Sequence, residues 1–114
     1  MADEGRFIDP DTLTYKEEKI GDVVVEVATI DVGAFEARIS RWPAGSQVPR
    51  HAHSTEIITV LLRGKARSSG RQEMRPGILY DCGGFEYGPW FVEERATFLT
   101  FQPKGSKIVM PQSK

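Results

Sequence analysis

The chain has 114 residues, a length that suits one domain with its own core and leaves little room for a second. Apolar residues make up 39% and charged residues 27%, the balance of a globular rather than a disordered sequence. A net charge of −1 gives no broad electrostatic footprint for nucleic acid or an anionic membrane, so neither is expected as a partner.

No apolar run is long enough to span a bilayer, and residues 1–10 are polar and acidic with no signal-like apolar stretch. Cys82 is the only cysteine, which excludes an intrachain disulfide and suits a reducing compartment. The expectation is a cytoplasmic protein.

In chain order, helical periodicity is scarce, while period-two alternation and turn residues recur throughout. Residues 22–31 predict an N-terminal strand, with Val23, Val25 and Val27 on one face and Val24, Ala28 and Ile30 on the other. Phe35, Ala37 and Ile39 alternate with Glu36, Arg38 and Ser40, the pattern of a half-buried strand, and Pro43-Ala44-Gly45 closes it. Residues 56–62 are apolar on both faces, as in a strand covered on both sides, and Gly64 ends the run. Arg63, Lys65, Arg67 and Arg71 read as a solvated hairpin rather than a phosphate-binding stripe.

Ser68-Ser69-Gly70 predicts a hairpin turn into residues 72–75, and Pro76-Gly77 a further turn before a short strand over 78–81. Gly83-Gly84 and Gly88-Pro89 interrupt the chain again. Residues 96–102, with Phe98, Leu99 and Phe101, form the last strong strand, and 108–110 a short final one. Roughly seven or eight short strands at this spacing predict an all-β sandwich or barrel. No internal repeat or low-complexity linker interrupts it.

The two histidines, His51 and His53, stand two residues apart. On a strand, that spacing projects both imidazoles from one face, within reach of one cation. Gly45 and Pro49 precede them and Gly64 follows, so the pair sits in a framed segment.

With these flanks the sequence resembles the cupin superfamily. Gly45, His51, His53 and Gly64 follow the order of its first motif, Gly, His-x-His, Glu, Gly. Arg75-Pro76-Gly77 and the stretch from Tyr80 to Pro89 resemble its second motif, in a subset of small cupins that carries Tyr-Gly-Pro where others place a third histidine. The resemblance spans about residues 35 to 102. It implies a double-stranded β-helix, the jelly-roll barrel, as one domain over 1–114 with its core near 20–104 and a short N-terminal strand extension. It also implies a homodimer, because sheet edges in so short a chain need covering.

The resemblance further implies a divalent metal at the barrel mouth, with Fe2+ favoured and Zn2+, Mn2+ or Ni2+ as alternatives. His51 and His53 are the expected ligands. Ile57 stands where the family carries its glutamate, and Glu56 is one residue early, so a bulge or turn at Ser54-Thr55 is needed to bring Glu56 inward. Tyr87 takes the place of the third histidine, and Cys82 that of a proline. Glu56, Tyr87 and Cys82 are thus the candidates for a third ligand. Glu56 would create a two-His-one-carboxylate set, whereas a phenol ionising near pH 10 is a poor ligand and suits Tyr87 to donating a hydrogen bond or a proton.

Ile57, Thr59, Phe85 and Trp90 are the expected pocket walls. Arg38, Arg41 and Trp42 read as surface charges and a packing aromatic, with lining of the mouth as the alternative, and Glu86 has the same two readings. No Gly-x-Ser-x-Gly elbow or Walker loop is present, and Cys82 as a nucleophile would consume the metal pair as its base.

Two functions of different classes remain, beside a blander reading as a dimeric structural domain. One is a metal-dependent enzyme, such as a dioxygenase, an isomerase or cyclase, or a lyase, acting on a small oxygenated substrate, with Glu56 and Tyr87 as its catalytic groups. The other is a small-ligand binding or sensing module without turnover.

Overall fold

The computed structural model describes residues 7–68, 73–81, 83 and 88–110. After a short 3-10 turn at Pro10–Thr12, the strands are β1 (Lys16–Ile20), β2 (Val23–Val32), β3 (Phe35–Trp42), β4 (Gln47–Val48), β5 (Ala52–His53), β6 (Ile57–Ser68), β7 (Glu73–Met74), β8 (Gly77–Asp81), β9 (Trp90–Pro103) and β10 (Ile108–Val109). β1, β2 and β3 form an antiparallel meander. The chain then crosses, so that β9 lies between β3 and β6, giving the order β1-β2-β3-β9-β6-β7, with β4 beside β9 and β8 beside β6. β10 pairs with β5 in a second, small sheet. This is an all-β jelly roll, as the alternation in the sequence predicts. No helix among the described residues is long and apolar enough to cross a membrane.

Three features differ from the sequence expectation. β1, whose Lys16 to Lys19 are exposed, is the edge strand, so β2 is the second strand of the sheet. β9 begins at Trp90 because its first residues pair with β4 and with the far half of β6. Gly64 does not end β6. The strand runs on to Ser68 through register shifts between Leu61 and Ala66. Gly64 takes φ +97°, and a Cβ on it would lie 2.3 Å from the Arg95 carbonyl oxygen. It is therefore the point where β6 bulges and bends against β9.

The interior is graded along the barrel. At one end Val25, Leu61, Ala66, Val92 and Ala96 are at most 1% exposed and pack with Val27, Trp42 and Phe98. Burying each larger side chain stabilises the fold by about 1.5–3 kcal/mol. The cross-strand register then sets successive rows. Val27, Ser40, Phe98 and Leu61 lie opposite one another, then Arg38, Thr100 and Thr59, then Glu36 and Gln102. Polarity rises row by row away from the core, and this gradient makes the cavity described next.

The gradient also reverses the expected faces of β3. Glu36, Arg38 and Ser40 face the interior cavity, while Ala37 and Ile39, at 4% and 2% exposure, are buried on the opposite face. That opposite face continues across the sheet through Phe101 and Ile58, both more than 40% exposed.

Candidate functional site

The histidine segment is held from both sides. After β3 the turn at Pro43 is tied to β9, with the Gly45 N–H donating to the Val92 carbonyl at 2.8 Å and the Val92 N–H donating to the Ser46 carbonyl at 2.9 Å. β4 then pairs with Trp90 and Phe91, and Val48 is buried. Ala52 and His53 pair with Val109 and Ile108. Beyond them the Ser54 N–H donates to the Lys107 carbonyl, and the Lys107 N–H donates to Ser54 Oγ. The short C-terminal strand thus fixes the histidine strand over the barrel mouth.

His51 and His53 line one cavity of about 310 Å³, and the two residues are 6% and 7% exposed. The ring centroids are 5.0 Å apart, inclined by 72°. The His51 Nδ1 lies 2.6 Å from the Pro49 carbonyl oxygen, which can only accept, so Nδ1 carries the proton and Nε2 holds the lone pair of the neutral ring. Burial, then the His51 ring, then the Arg38 guanidinium lower the His53 pKa to about 4. At neutral pH His53 is an uncharged imidazole, the form that ligates metals.

Trp42, Val48, Trp90 and Phe98 form the apolar floor of the cavity. Its wall is polar. Gln102 Nε2 donates to Glu36 Oε1 at 2.8 Å, Thr59 and Thr100 hydroxyls lie 3.2 Å apart, and Arg38 is ion-paired with Glu18 of β1.

Of the walls expected from sequence, Thr59 and Trp90 line this cavity, as do Arg38 and Trp42. Ile57 does not; it borders a separate shallow cavity of about 280 Å³. Arg41 points elsewhere, pairing with Asp11 at 2.9 Å and stacking 3.8 Å over the Tyr15 ring. Tyr87, Cys82, Phe85 and Glu86 lie outside the described residues.

Glu56 is not brought to the histidines. Ile57, Thr59 and Leu61 all point inward, so strict alternation turns Glu56 and Ile58 outward, and both are exposed. The bulges of β6 come only after Leu61, too late to reverse Glu56. Glu56 lies instead beside the shallow cavity with Phe35, Ile58 and Phe101. Accordingly, Glu56→Gln is expected to leave the metal content of the purified chain unchanged, as read by elemental analysis; a loss comparable to that of a histidine variant would contradict this placement.

Glu18, Glu36, Gln102 and Lys107 line the cavity although sequence reasoning did not select them. The polar side of β3 carried the signal for Glu36, but alternation alone does not say which face is the interior.

The donor set suits a divalent metal in part. Two buried imidazoles share one cavity, whereas no group of three His, Cys, Asp or Glu side chains comes together among the described residues.

No family model and no curated protein matches the sequence. Solved structures are similar in fold. The acetylacetone dioxygenase of Acinetobacter johnsonii is 19% identical with a TM-score of 0.68, over 90% of this chain and 75% of that one. The polyketide cyclase RemF of Streptomyces resistomycificus is 14% identical with a TM-score of 0.71, over 96% and 87%. A cupin-2 domain protein of Rhodospirillum rubrum is 15% identical with a TM-score of 0.69, over 99% and 84%. Strand order and these similarities define one fold class, the antiparallel β jelly roll. Within that class the chain has the fold of a small cupin.

Proposed function

We propose that the chain is a metal-dependent enzyme acting on a small oxygenated molecule in the His51–His53 cavity. The observation that carries this reading is the pair of buried imidazoles facing one cavity, one with its tautomer fixed by Pro49 and the other kept neutral by burial. His51 and His53 would hold a divalent cation, Fe2+ first among the alternatives. Bound there, it supplies Lewis acidity toward a carbonyl or enolate oxygen and, as Fe2+, a capacity for dioxygen chemistry.

The chain's own residues do the rest. Trp42, Trp90 and Phe98 pack the carbon skeleton and exclude water from that end. Thr59, Thr100 and Arg38 offer donors to substrate oxygens. Tyr87 keeps its proposed role as the group that orients the substrate or gives up a proton, on the sequence motif alone. A cavity of about 310 Å³ suits a small ligand, at the lower end of ligand pockets. Acetylacetone, a β-diketone named in one structural relative, is of that chemical kind.

Elemental analysis of tag-free protein tests this reading. The expected result is about one divalent metal per chain, falling at least roughly tenfold in both His51→Ala and His53→Ala together with turnover. If His51→Ala leaves metal content and turnover untouched, the reading fails. A binding module without turnover is the second reading, favoured by the two-imidazole donor set. A ligand-induced thermal shift that chelator does not alter, with no turnover, would select it.

A further inference from the structure

We infer that the cavity takes an organic acid anion, and that Arg38 is the anchor that reads its carboxylate by exchanging Glu18 for the ligand. This rests on the cavity being the ligand site proposed above.

Arg38 extends from the middle of β3 into the cavity, in the row that also holds Thr100 and Thr59. Its side chain is 24% exposed, so its charge needs an anionic partner to offset the lost hydration. Among the described residues that partner is Glu18, on the edge strand β1 and 44% exposed. The other cavity carboxylate, Glu36, sits one row nearer the mouth and is engaged by Gln102. Arg38 is therefore held by a carboxylate that reaches it from the outer edge of the sheet and keeps much of its own access to water.

A pair of this kind is easily exchanged. Partly exposed ion pairs add little to the stability of a fold, and a released Glu18 would rehydrate at the surface. A carboxylate delivered from inside the cavity meets the same guanidinium fork with less competition from water and can bond it in bidentate fashion. The charge balance favours such a guest. Glu18 and Glu36 match Arg38 and Lys107 among the lining side chains, so a dication on the histidines leaves the cavity positive overall. Thr59 and Thr100 beside Arg38 add hydroxyl donors, and the aromatic floor takes the hydrocarbon part. The placement separates two recognition elements, the histidine pair for one oxygenated end of the guest and Arg38 for the other.

Calorimetric titration with benzoate and with benzamide, its neutral match in shape, tests the assignment on metal-loaded and on chelator-treated protein. The expected result is about tenfold tighter binding of benzoate in the wild-type chain, no preference in Arg38→Gln, and several-fold tighter benzoate binding in Glu18→Gln, where the internal competitor is gone. Equal affinity for the two probes, a preference that survives Arg38→Gln, an unchanged benzoate affinity in Glu18→Gln, or no binding of either probe overturns it. If Arg38→Gln does not fold, the wild-type comparison and Glu18→Gln decide. The metal reading fails separately: a chain that takes up no metal yet keeps an Arg38-dependent preference for benzoate retains the anchor and loses the metal. A chain that binds both probes equally, and only when loaded with metal, does the reverse.

Discussion

Acidifying the metal-free protein from pH 7 to pH 4 is expected to remove about 3 kcal/mol of folding stability through His53 alone. The residue is 7% exposed, and burial, the neighbouring His51 and Arg38 all oppose its charge, so its folded pKa is about 4 against 6.5 for an unperturbed histidine. The sign follows from which state takes the proton first. As pH falls below 6.5 the unfolded chain binds it while the folded chain does not, so the balance shifts toward unfolding. The loss stops growing once the pH passes below about 4, where both states are protonated. Well above pH 6.5 His53 contributes no pH dependence. Urea titrations across this range, compared with His53→Gln, give the measurement. The wild-type curve should fall more steeply than that of the variant between pH 6.5 and 4, and parallel curves would show that the ring is not buried as described.

The second large effect belongs to Gly64. Replacement by alanine is expected to cost about 3 kcal/mol or more, because a strained backbone and an overpacked contact act together. The φ of +97° disfavours any side chain, and the new Cβ would meet the Arg95 carbonyl oxygen at 2.3 Å and the Ala96 Cα at 2.7 Å. Those atoms belong to β9, the strand that β6 pairs along, so relief requires opening the central pairing of the sheet. Gly45→Ala is the control. Gly45 also has positive φ, at +84°, but a Cβ there meets nothing within 4 Å, so about 1 kcal/mol is expected from conformation alone. Equal losses at the two positions in chemical denaturation would show that the close contact with β9 is relieved without cost.

Much of the fold is legible in the chain because strands declare themselves through local chemistry. Alternation over 22–31, 35–40 and 96–102 marks strands that exist, and Pro43-Ala44-Gly45 marks a real turn. The strand β1 was not legible, since Lys16 to Lys19 carry no apolar alternation and gain their extended form from pairing with β2. β4 was missed for a related reason, being two residues long and defined by its partner β9. Gly64 stood out by residue type, but only the pairing of β6 with β9 distinguishes a bulge from a strand end.

The sequence by itself determined the strand-rich class, the pairing of His51 with His53 two residues apart, and the chemistry those imidazoles offer, because each depends on residues close along the chain. The tertiary structure alone decided that Glu56 faces away from them, that the polar side of β3 lines the cavity, and that Glu18 reaches Arg38 from twenty residues away. The physical reason is that a period-two pattern specifies two faces without saying which one the sheet rolls around. That choice is made by packing and register between strands distant in sequence.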